Sequence, residues 1–165
     1  MAEYRLLTIW RIAAPLDEVY TAIHDSPRWP DWWPGMQKVE EVAAGDADGI
    51  GSVLRYFWRG KLPYRMVFEV RATRIEKRVA IEGAVQGDLE GIGRWHFISE
   101  GAVSVVRYEW NVRSTRWWMN LIAPFARSMF IRNHGIVMRQ GAEGLAGLLS
   151  APLLGQASID LMAEA

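Results

Sequence analysis

The side chains best suited to acid–base or metal chemistry in this 165-residue sequence are three histidines, His24, His96 and His134. They are too far apart along the chain to form a local metal-binding motif, and the sequence has neither a zinc-protease signature nor a Gly-x-Ser-x-Gly nucleophile motif. It also has no cysteine, which excludes a disulfide, a thiol nucleophile and a thiolate metal site. We therefore expect no metal ion and no other cofactor, and no catalytic residue can be assigned from motifs.

Two amides, Asn133 and Gln140, interrupt an apolar helical pattern seven residues apart. A buried amide without a partner costs about 1–3 kcal/mol, so both side chains need partners inside the fold. Either they bond to the sheet that covers them, or they border a cavity that holds water or a ligand. His134 lies beside Asn133 on the flank of the same face, which makes it the best candidate among the three histidines.

The element that carries these side chains is the one long helical pattern in the chain, Trp117–Leu149. Pro124 either begins the main helix or leaves a kink between two segments. Gly141 and Gly144 leave room on the inner face for a bulky group to approach. Apolar residues at steps of three and four form one broad face that a sheet must cover: Ile122, Phe125, Ala126, Met129, Phe130, Ile136, Val137, Gly144 and Leu148.

Nearly all of the chain before this helix has the alternating pattern of β-strands. A first strand, Tyr4–Ile12, precedes a short helix that begins near Pro15, and Ser26 starts a second helical turn or a tight loop. Short turns then separate six further strands, which predicts an antiparallel meander. The predicted strands are Met36–Val42, Ser52–Arg59, Tyr64–Ile75, Val79–Val85, Leu89–Ser99 and Val103–Arg113.

The same alternation assigns the two faces of the sheet. The outer face is charged, and Arg55 and Arg94 are predicted to point away from the interior. Gly91 and Gly93 both fall on the inner face, which indicates a sharp bend or a hollow. Large apolar side chains share that inner face, among them Leu54, Tyr56, Trp58, Tyr64, Met66, Phe68, Val70, Trp95, Phe97, Tyr108, Trp110 and Val112.

Residues 27–34 hold three tryptophans and three prolines and form a stiff aromatic segment. The sequence contains nine tryptophans, residues that favour cores, interfaces and aromatic-lined pockets. The segment either closes one end of the core or forms the rim of a pocket, and the sequence favours neither.

Composition limits the class of partner. The 19 basic and 19 acidic residues balance, so no polyanion is implied and we expect no nucleic-acid partner. The first residues lack the basic and apolar regions of a signal peptide, and no uncharged apolar run is long enough to span a membrane. We therefore expect a cytoplasmic protein without a transmembrane segment.

The order of elements resembles the helix-grip fold of the START/Bet v 1-like (SRPBCC) superfamily. The segments Ala14–Tyr20 and Asp25–Gly35 resemble the N-terminal signature of its polyketide cyclase/dehydrase branch, and Gly49–Ser52 before a strand also fits. The resemblance covers roughly residues 3–149. It implies an α+β fold in which a curved antiparallel sheet wraps around the long C-terminal helix, with two short helices after the first strand and a deep cavity between sheet and helix.

We therefore predict a single helix-grip domain at residues 1–150. Residues 151–165 are predicted to be a tail, weakly helical at best, that is either mobile or packed on a neighbour. Pro152 and Gly155 in this segment weaken any helical pattern.

The predicted ligand-binding residues come from the inner faces of the sheet and the helix. In aromatase/cyclases of this superfamily, a few polar groups inside the cavity move protons, and Tyr56, Tyr64, Tyr108, Asn133 and His134 are the residues that would supply them here. None of these matches a known catalytic position. The full candidate set is Trp33, Tyr56, Trp58, Tyr64, Met66, Phe68, Trp95, Tyr108, Trp110, Met129, Asn133, His134, Val137 and Gln140.

Three classes of function follow from these observations. A binding or transport protein for a hydrophobic, partly aromatic small molecule (a lipid, a polyketide or a quinone-like compound) needs only the cavity. A polyketide cyclase or dehydrase needs the same cavity together with placed acid and base groups. A protein-interaction module would use the tryptophan-rich segment or the tail to dock a partner.

Overall fold

A computed structural model describes residues 2–59, 61 and 63–163. It contains eight strands, three α-helices and one short 3₁₀ helix at Ser26–Asp31. The helices are α1 (Leu16–His24), α2 (Trp117–Leu121) and α3 (Ala123–Leu148). The strands are β1 (Glu3–Ile12), β2 (Met36–Ala43), β3 (Val53–Trp58), β4 (Met66–Glu76), β5 (Ala80–Gly87), β6 (Leu89–Glu100), β7 (Val103–Ser114) and β8 (Leu153–Asp160).

All eight strands form one antiparallel sheet in the order β2-β3-β4-β5-β6-β7-β1-β8. Strands β2 to β7 are neighbours in chain order, so the predicted six-stranded meander is confirmed. The α-helices and the 3₁₀ helix complete the α+β helix-grip arrangement that the sequence predicts. None of the helices in the described part of the chain combines the length and the apolar character that crossing a bilayer demands.

The predicted faces of the sheet are correct. Trp95 pairs with Tyr108 across β6 and β7, and both side chains face inward. Arg94 and Arg55 occupy the outer face, where Arg94 Nε lies 2.9 Å from a Glu82 carboxylate oxygen and Arg55 donates to Glu69 at 2.7 Å. A strand alternates its side chains with a period of two, so burial of one apolar set fixes the position of the other.

Gly91, one of the two inner-face glycines, has a φ of +150°, a conformation that residues with a side chain rarely adopt. A Cβ at this position would collide with the carbonyl oxygen of Asn111 on β7. Gly91 stays paired with Val85 and Val112 in an unbroken register, so the glycine allows β7 to approach closely.

Helix α3 begins close to Pro124, as predicted, after the break that ends α2 at Leu121. Its predicted apolar face is partly wrong, because Ile122, Phe125 and Leu148 are exposed while Met138, Ala142 and Leu145 are buried. Near the C-terminal end of α3, Trp33 and Trp32 approach Gly141 and Gly144 closely and cover that side of the helix.

The tail prediction of weak helix is wrong, since residues 153–160 form strand β8. This strand pairs with β1 from Leu6–Asp160 to Ile12–Leu153, and the Asp160 carboxylate accepts a hydrogen bond from Arg127 at 2.7 Å. The free edge of β1 offers unpaired backbone groups, and the pairing depends on a partner about 150 residues away in sequence rather than on local pattern.

Candidate functional site

A cavity of about 390 Å³ lies between the inner face of the sheet and the elements that cover it. Strands β2 to β7 supply one wall, and α1, the 3₁₀ helix with Trp33, and Met138 of α3 supply the other. Its volume falls in the range of pockets that hold small organic ligands, about 300–1,000 Å³. The cavity is therefore a space among the described residues that a small organic molecule could occupy.

The aromatic segment at residues 27–34 forms the covering wall. Trp29 and Trp33 are buried and line the cavity, so this segment is both a cover over the core and a pocket wall. The indole N–H of Trp29 donates to the carbonyl oxygen of Ile23 at 3.1 Å, and that of Trp33 donates to Val137 at 2.9 Å. A hydrogen bond to a backbone carbonyl therefore orients each of these two indoles.

Small residues on the helix allow this wall to approach. A Cβ on Gly141 would lie 2.5 Å from the Trp33 ring, and one on Gly144 would collide with the carbonyl oxygen of Trp32. The prediction that these two glycines admit a bulky group is therefore confirmed, and the group is the tryptophan-rich segment itself.

Small residues on the sheet keep the cavity open. Ala72 on β4 pairs with Gly83 on β5, and Gly83 pairs with Gly93 on β6, so a row of three small residues crosses the cavity wall. A Cβ on Gly93 would lie 3.0 Å from the Trp110 ring. Gly93 therefore lies at the hollow that the sequence indicates, whereas Gly91 allows the close approach of β7.

The deep polar groups are hydroxyls. Ser26 and Tyr56 share a hydrogen bond of 2.8 Å, and the Tyr108 hydroxyl lies above Gly93. Burial raises the pKa of Tyr56 to about 12, against a smaller opposing effect of the Ser26 hydrogen bond. Burial also raises the pKa of Tyr108 well above its ordinary value. Both phenols therefore stay neutral near pH 7 and can donate hydrogen bonds to a ligand.

The mouth of the cavity has a different character from its interior. Three exposed polar residues, His24, Asp25 and Glu41, line it there. Of the described residues that line the whole cavity, none is a lysine or an arginine. The interior consequently suits an uncharged apolar ligand with a hydrogen-bonding group, and it offers no cation to hold an anionic one.

Seven of the fourteen predicted site residues line this cavity: Trp33, Tyr56, Trp58, Phe68, Trp95, Tyr108 and Trp110. Their side chains converge because they occupy matching inner positions on neighbouring strands, or lie on the segment that covers them. That any of the fourteen contacts a ligand stays a prediction.

The structure places the other seven outside the cavity: Tyr64, Met66, Met129, Asn133, His134, Val137 and Gln140. Tyr64 packs on Trp118 with ring centroids 4.8 Å apart, and its hydroxyl points to the Met119 sulfur. Val137 contributes its backbone carbonyl to Trp33 rather than a side chain to the cavity. These residues lie in or beside other parts of the core, because the cavity occupies only one end of the space between sheet and helix.

The two helix amides, Asn133 and Gln140, neither bond to a strand of the sheet nor border the large cavity, which were the two predicted arrangements. The Asn133 Oδ1 atom accepts a hydrogen bond of 2.8 Å from the backbone N–H of Lys61, in the loop between β3 and β4. Gln140 is only half-buried, so water can satisfy its amide. Asn133 therefore holds a loop in place, and neither amide borders the main cavity.

His134 is 2% exposed, and neither ring nitrogen has a hydrogen-bond partner among the described residues. It lies against Trp58, with ring centroids 6.4 Å apart, beside a very small pocket that Met66 and Phe130 also line. Burial lowers the pKa of His134 from 6.5 to about 4, so the imidazole is neutral near pH 7. Nothing in this position resembles a proton-transfer site in the main cavity.

Several cavity residues were not in the predicted set. Ser26, Trp29 and the small residues Ala72 and Gly83 all line the cavity. Trp29 belongs to the aromatic segment, and its spacing from Trp33 on a helical turn is a signal that could have included it. The hydroxyl of Ser26 reaches Tyr56 only through the folded arrangement, and no local pattern predicts this contact.

Fold and cavity together define a helix-grip protein with an internal cavity large enough for a small organic molecule. Residues 9–149 match the family described as polyketide cyclase/dehydrase and lipid transport, and the chain belongs to that family. No cluster of three or more potential metal ligands occurs among residues 2–59, 61 and 63–163. No curated protein sequence gives a significant match.

Solved structures show the same fold at low sequence identity. The protein TTHA0849 from Thermus thermophilus superposes with a TM-score of 0.70 at 17% identity, covering 88% of this chain and 98% of that one. A START superfamily protein from Mycobacterium smegmatis gives 0.68 at 15%, covering 89% and 97%. The ZhuI aromatase/cyclase from Streptomyces gives 0.65 at 17%, covering 90% and 94%.

Proposed function

We propose that the protein binds and carries a hydrophobic, partly aromatic small molecule, of lipid, polyketide or quinone-like type, in the cavity between the sheet and its helical cover. The observation that supports this most directly is the cavity of about 390 Å³ with tryptophan, tyrosine and phenylalanine walls and hydroxyl groups as its deep polar atoms. Aromatic walls favour flat, apolar ligands, and a few fixed hydroxyls orient them.

A cyclase or dehydrase is the second candidate, supported by the description of the family and by the hydroxyls that share the cavity. Tyr56 and Tyr108 can donate hydrogen bonds to a ketone oxygen and so stabilise a developing enolate. Cyclisation also needs a base, and burial keeps both phenols protonated near pH 7. Of the carboxylates in the lining, Asp25 and Glu41 are exposed, and Glu82 forms ion pairs with Arg74 and Arg94. These facts favour binding over catalysis.

The interaction-module hypothesis loses one of the two features on which it depends. Trp29 and Trp33 of the aromatic segment are buried in the cavity wall and are not free to dock a partner. Most of the predicted tail is strand β8, which pairs with β1 and lies at the edge of the sheet.

The proposed binding function predicts a specific effect of Tyr108. Removing its hydroxyl in Tyr108→Phe should weaken binding of a polycyclic phenol by about threefold to tenfold, because one hydrogen bond contributes roughly 0.5–1.5 kcal/mol. Binding of the parent hydrocarbon, which has no hydroxyl, should not change. Titration of each compound, followed by tryptophan fluorescence, measures both affinities.

Tyr64→Phe is the matched control, because the Tyr64 hydroxyl faces Met119 outside the cavity. Equal loss of phenol binding in Tyr108→Phe and Tyr64→Phe would show that the loss does not come from a hydrogen bond inside the cavity. Incubating the protein with a linear poly-β-ketone and analysing the products by mass spectrometry separates the two candidate functions, since a cyclase yields cyclised products that have lost water.

A further inference from the structure

Three large apolar side chains project into solvent where α2 meets α3. Trp117 is 74% exposed, Leu121 is 75% exposed and Phe125 is 81% exposed. They are spaced by four residues, and the backbone hydrogen bonds from Ile122 to Trp118 and from Ala126 to Ile122 continue the helical turn across the break. The three side chains therefore share one side of the helical segment. We call them the α2–α3 apolar patch.

The helical segment that carries the patch is held in place by packing and hydrogen bonds on its inner side. Met119 is fully buried between the exposed residues, and Trp118 packs edge-on against Tyr64. The Asn120 amide accepts from the backbone of Ala2 at 2.8 Å and donates to that of Ser114 at 3.3 Å. The inner side of the segment is thus packed against the core. The segment cannot rotate to bury the three outer side chains without losing these contacts.

The stretch of sequence that carries the patch is basic, although acidic residues from other elements pair with three of its arginines. Residues 110–142 contain five arginines, Arg113, Arg116, Arg127, Arg132 and Arg139, and no acidic residue, so this stretch has a net charge of +5. The remaining chain has 14 basic and 19 acidic residues, a net charge of −5, which together give the overall value of zero. The neutral composition hides a strong local asymmetry.

Two of these arginines extend the patch along α3. Arg132 and Arg139 follow Phe125 at intervals of seven residues, so all three lie on nearly the same side of the helix, and all three are exposed. In the described part of the chain neither arginine has a carboxylate within ion-pair distance, whereas Arg113, Arg116 and Arg127 are paired with Glu90, Asp88 and Asp160. The row spans about 21 Å from Phe125 to Arg139.

We propose that this surface docks reversibly on an anionic phospholipid bilayer, with Trp117, Leu121 and Phe125 inserted at the headgroup–acyl boundary and Arg132 and Arg139 bound to lipid phosphates and carboxylates. Interfacial helices combine apolar and aromatic residues on one side with arginines that reach the headgroups, which is the pattern seen here. The docking does not depend on what the cavity binds.

Charge argues against a second copy of the chain as the occupant. A two-fold symmetric dimer would place the same patch of both copies together, and with it the same unpaired arginines. Like charges brought together in this way are unfavourable. A bilayer that contains acidic lipid supplies both an apolar phase and negative charge on one continuous surface.

Vesicle co-sedimentation of the full chain tests the proposal. The vesicles contain phosphatidylcholine alone or phosphatidylcholine with about 30 mol % phosphatidylserine. We expect binding to the acidic vesicles and at least roughly tenfold weaker binding to the neutral ones, with affinity that falls as salt rises.

Leu121→Asp should weaken binding to acidic vesicles by at least roughly tenfold, because a charge replaces an inserted apolar side chain. Leu148→Asp is the matched control, an exposed leucine at the other end of α3 that should keep wild-type binding. Arg132→Gln combined with Arg139→Gln should reduce both the affinity and its salt dependence. Phe125→Ser provides a second test of insertion that adds no charge.

Failure of the wild-type protein to bind acidic vesicles overturns the proposal, as does equal binding by Leu121→Asp and the wild type. Dissociation of a wild-type dimer by Leu121→Asp, without vesicle binding, overturns it in favour of a self-interface. Binding of the polycyclic phenol should be the same in Leu121→Asp and the wild type, so this test and the test of the cavity fail or succeed separately.

Discussion

Replacing Trp95 by alanine is expected to lower the free energy of unfolding by about 3 kcal/mol, the lower end of the range for a large aromatic residue in a core. Trp95 is 7% exposed and stacks on Tyr108 with ring centroids 4.1 Å apart. Its ring also packs against those of Trp10 and Trp29, with centroid separations of 5.6 and 5.9 Å. The loss stays at the lower end because Trp95 also borders the cavity, where it has no packing partner to lose. Denaturant unfolding of both proteins measures it.

Trp117→Ala is the control for this substitution, because it removes the same side chain from a position where 74% of it is exposed. We expect a change within about 0.5 kcal/mol. Equal destabilisation by the two variants, or a loss below about 0.5 kcal/mol for Trp95→Ala, would contradict the inward position of Trp95.

The second large effect is a dependence of stability on pH that comes from His134. Burial lowers its pKa in the folded protein to about 4 from the ordinary 6.5. As the pH falls below about 6.5, the unfolded chain takes up a proton that the folded protein rejects, so stability declines until about pH 4. A shift of this size corresponds to a loss of about 3 kcal/mol over that interval.

His134→Leu should remove this part of the pH dependence. At pH 7 the variant should be at least as stable as the wild type, because the replacement also removes two buried ring nitrogens without partners among the described residues. Glu40 and Glu69, whose pKa values are lowered by hydrogen bonds from Lys38 and Arg55, remain in both proteins. The difference between the two denaturation curves from about pH 7 to pH 4 therefore reports His134 alone. If the stabilities of wild type and His134→Leu changed with pH in the same way, the lowered pKa of His134 would be contradicted.

The sheet could be predicted from the sequence because its signal is local. Charged and apolar residues alternate within each strand, as at Arg94, Trp95 and His96, and short turns join the strands in order. Once one face is apolar enough to be buried, a shift of one residue would expose it, so the pairing is determined. The helix break near Pro124 is local in the same sense.

Features that depend on distant contacts were predicted less well. The stripe assigned to α3 included Phe125 and Leu148, which are exposed, and the close approach of Trp32 and Trp33 covers the helix only at Gly144 and Gly141. Strand β8 forms because β1 has a free edge, and residues 153–160 themselves show little strand pattern. A helical stripe defines a side of the helix only approximately, whereas a strand has only two sides.

In the candidate site, too, residues with a local pattern were predicted better than residues whose partners are distant in sequence. Trp58, Trp95 and Trp110 were correctly predicted to be buried on the inner face because they follow strand alternation, and their contact with a ligand stays a prediction. Asn133 was assigned to the cavity from its position on an apolar stripe, and its actual partner, the backbone of Lys61, belongs to a loop that no pattern connects to the helix. The contact between Ser26 and Tyr56 likewise joins two elements that only the fold brings together.

If the cavity binds a hydrophobic small molecule as proposed, filling it in Ala72→Phe should block binding of a polycyclic phenol in a calorimetric titration. Ala72 lines the cavity in the row of small residues with Gly83 and Gly93, so a phenylalanine there fills the space without removing any contact. Ala84→Phe makes the same change on the exposed outer face of the neighbouring strand. The account predicts at least roughly tenfold weaker binding by Ala72→Phe, and wild-type affinity with a negative heat-capacity change for Ala84→Phe. Equal affinity in all three proteins, or no binding by the wild type, would contradict it.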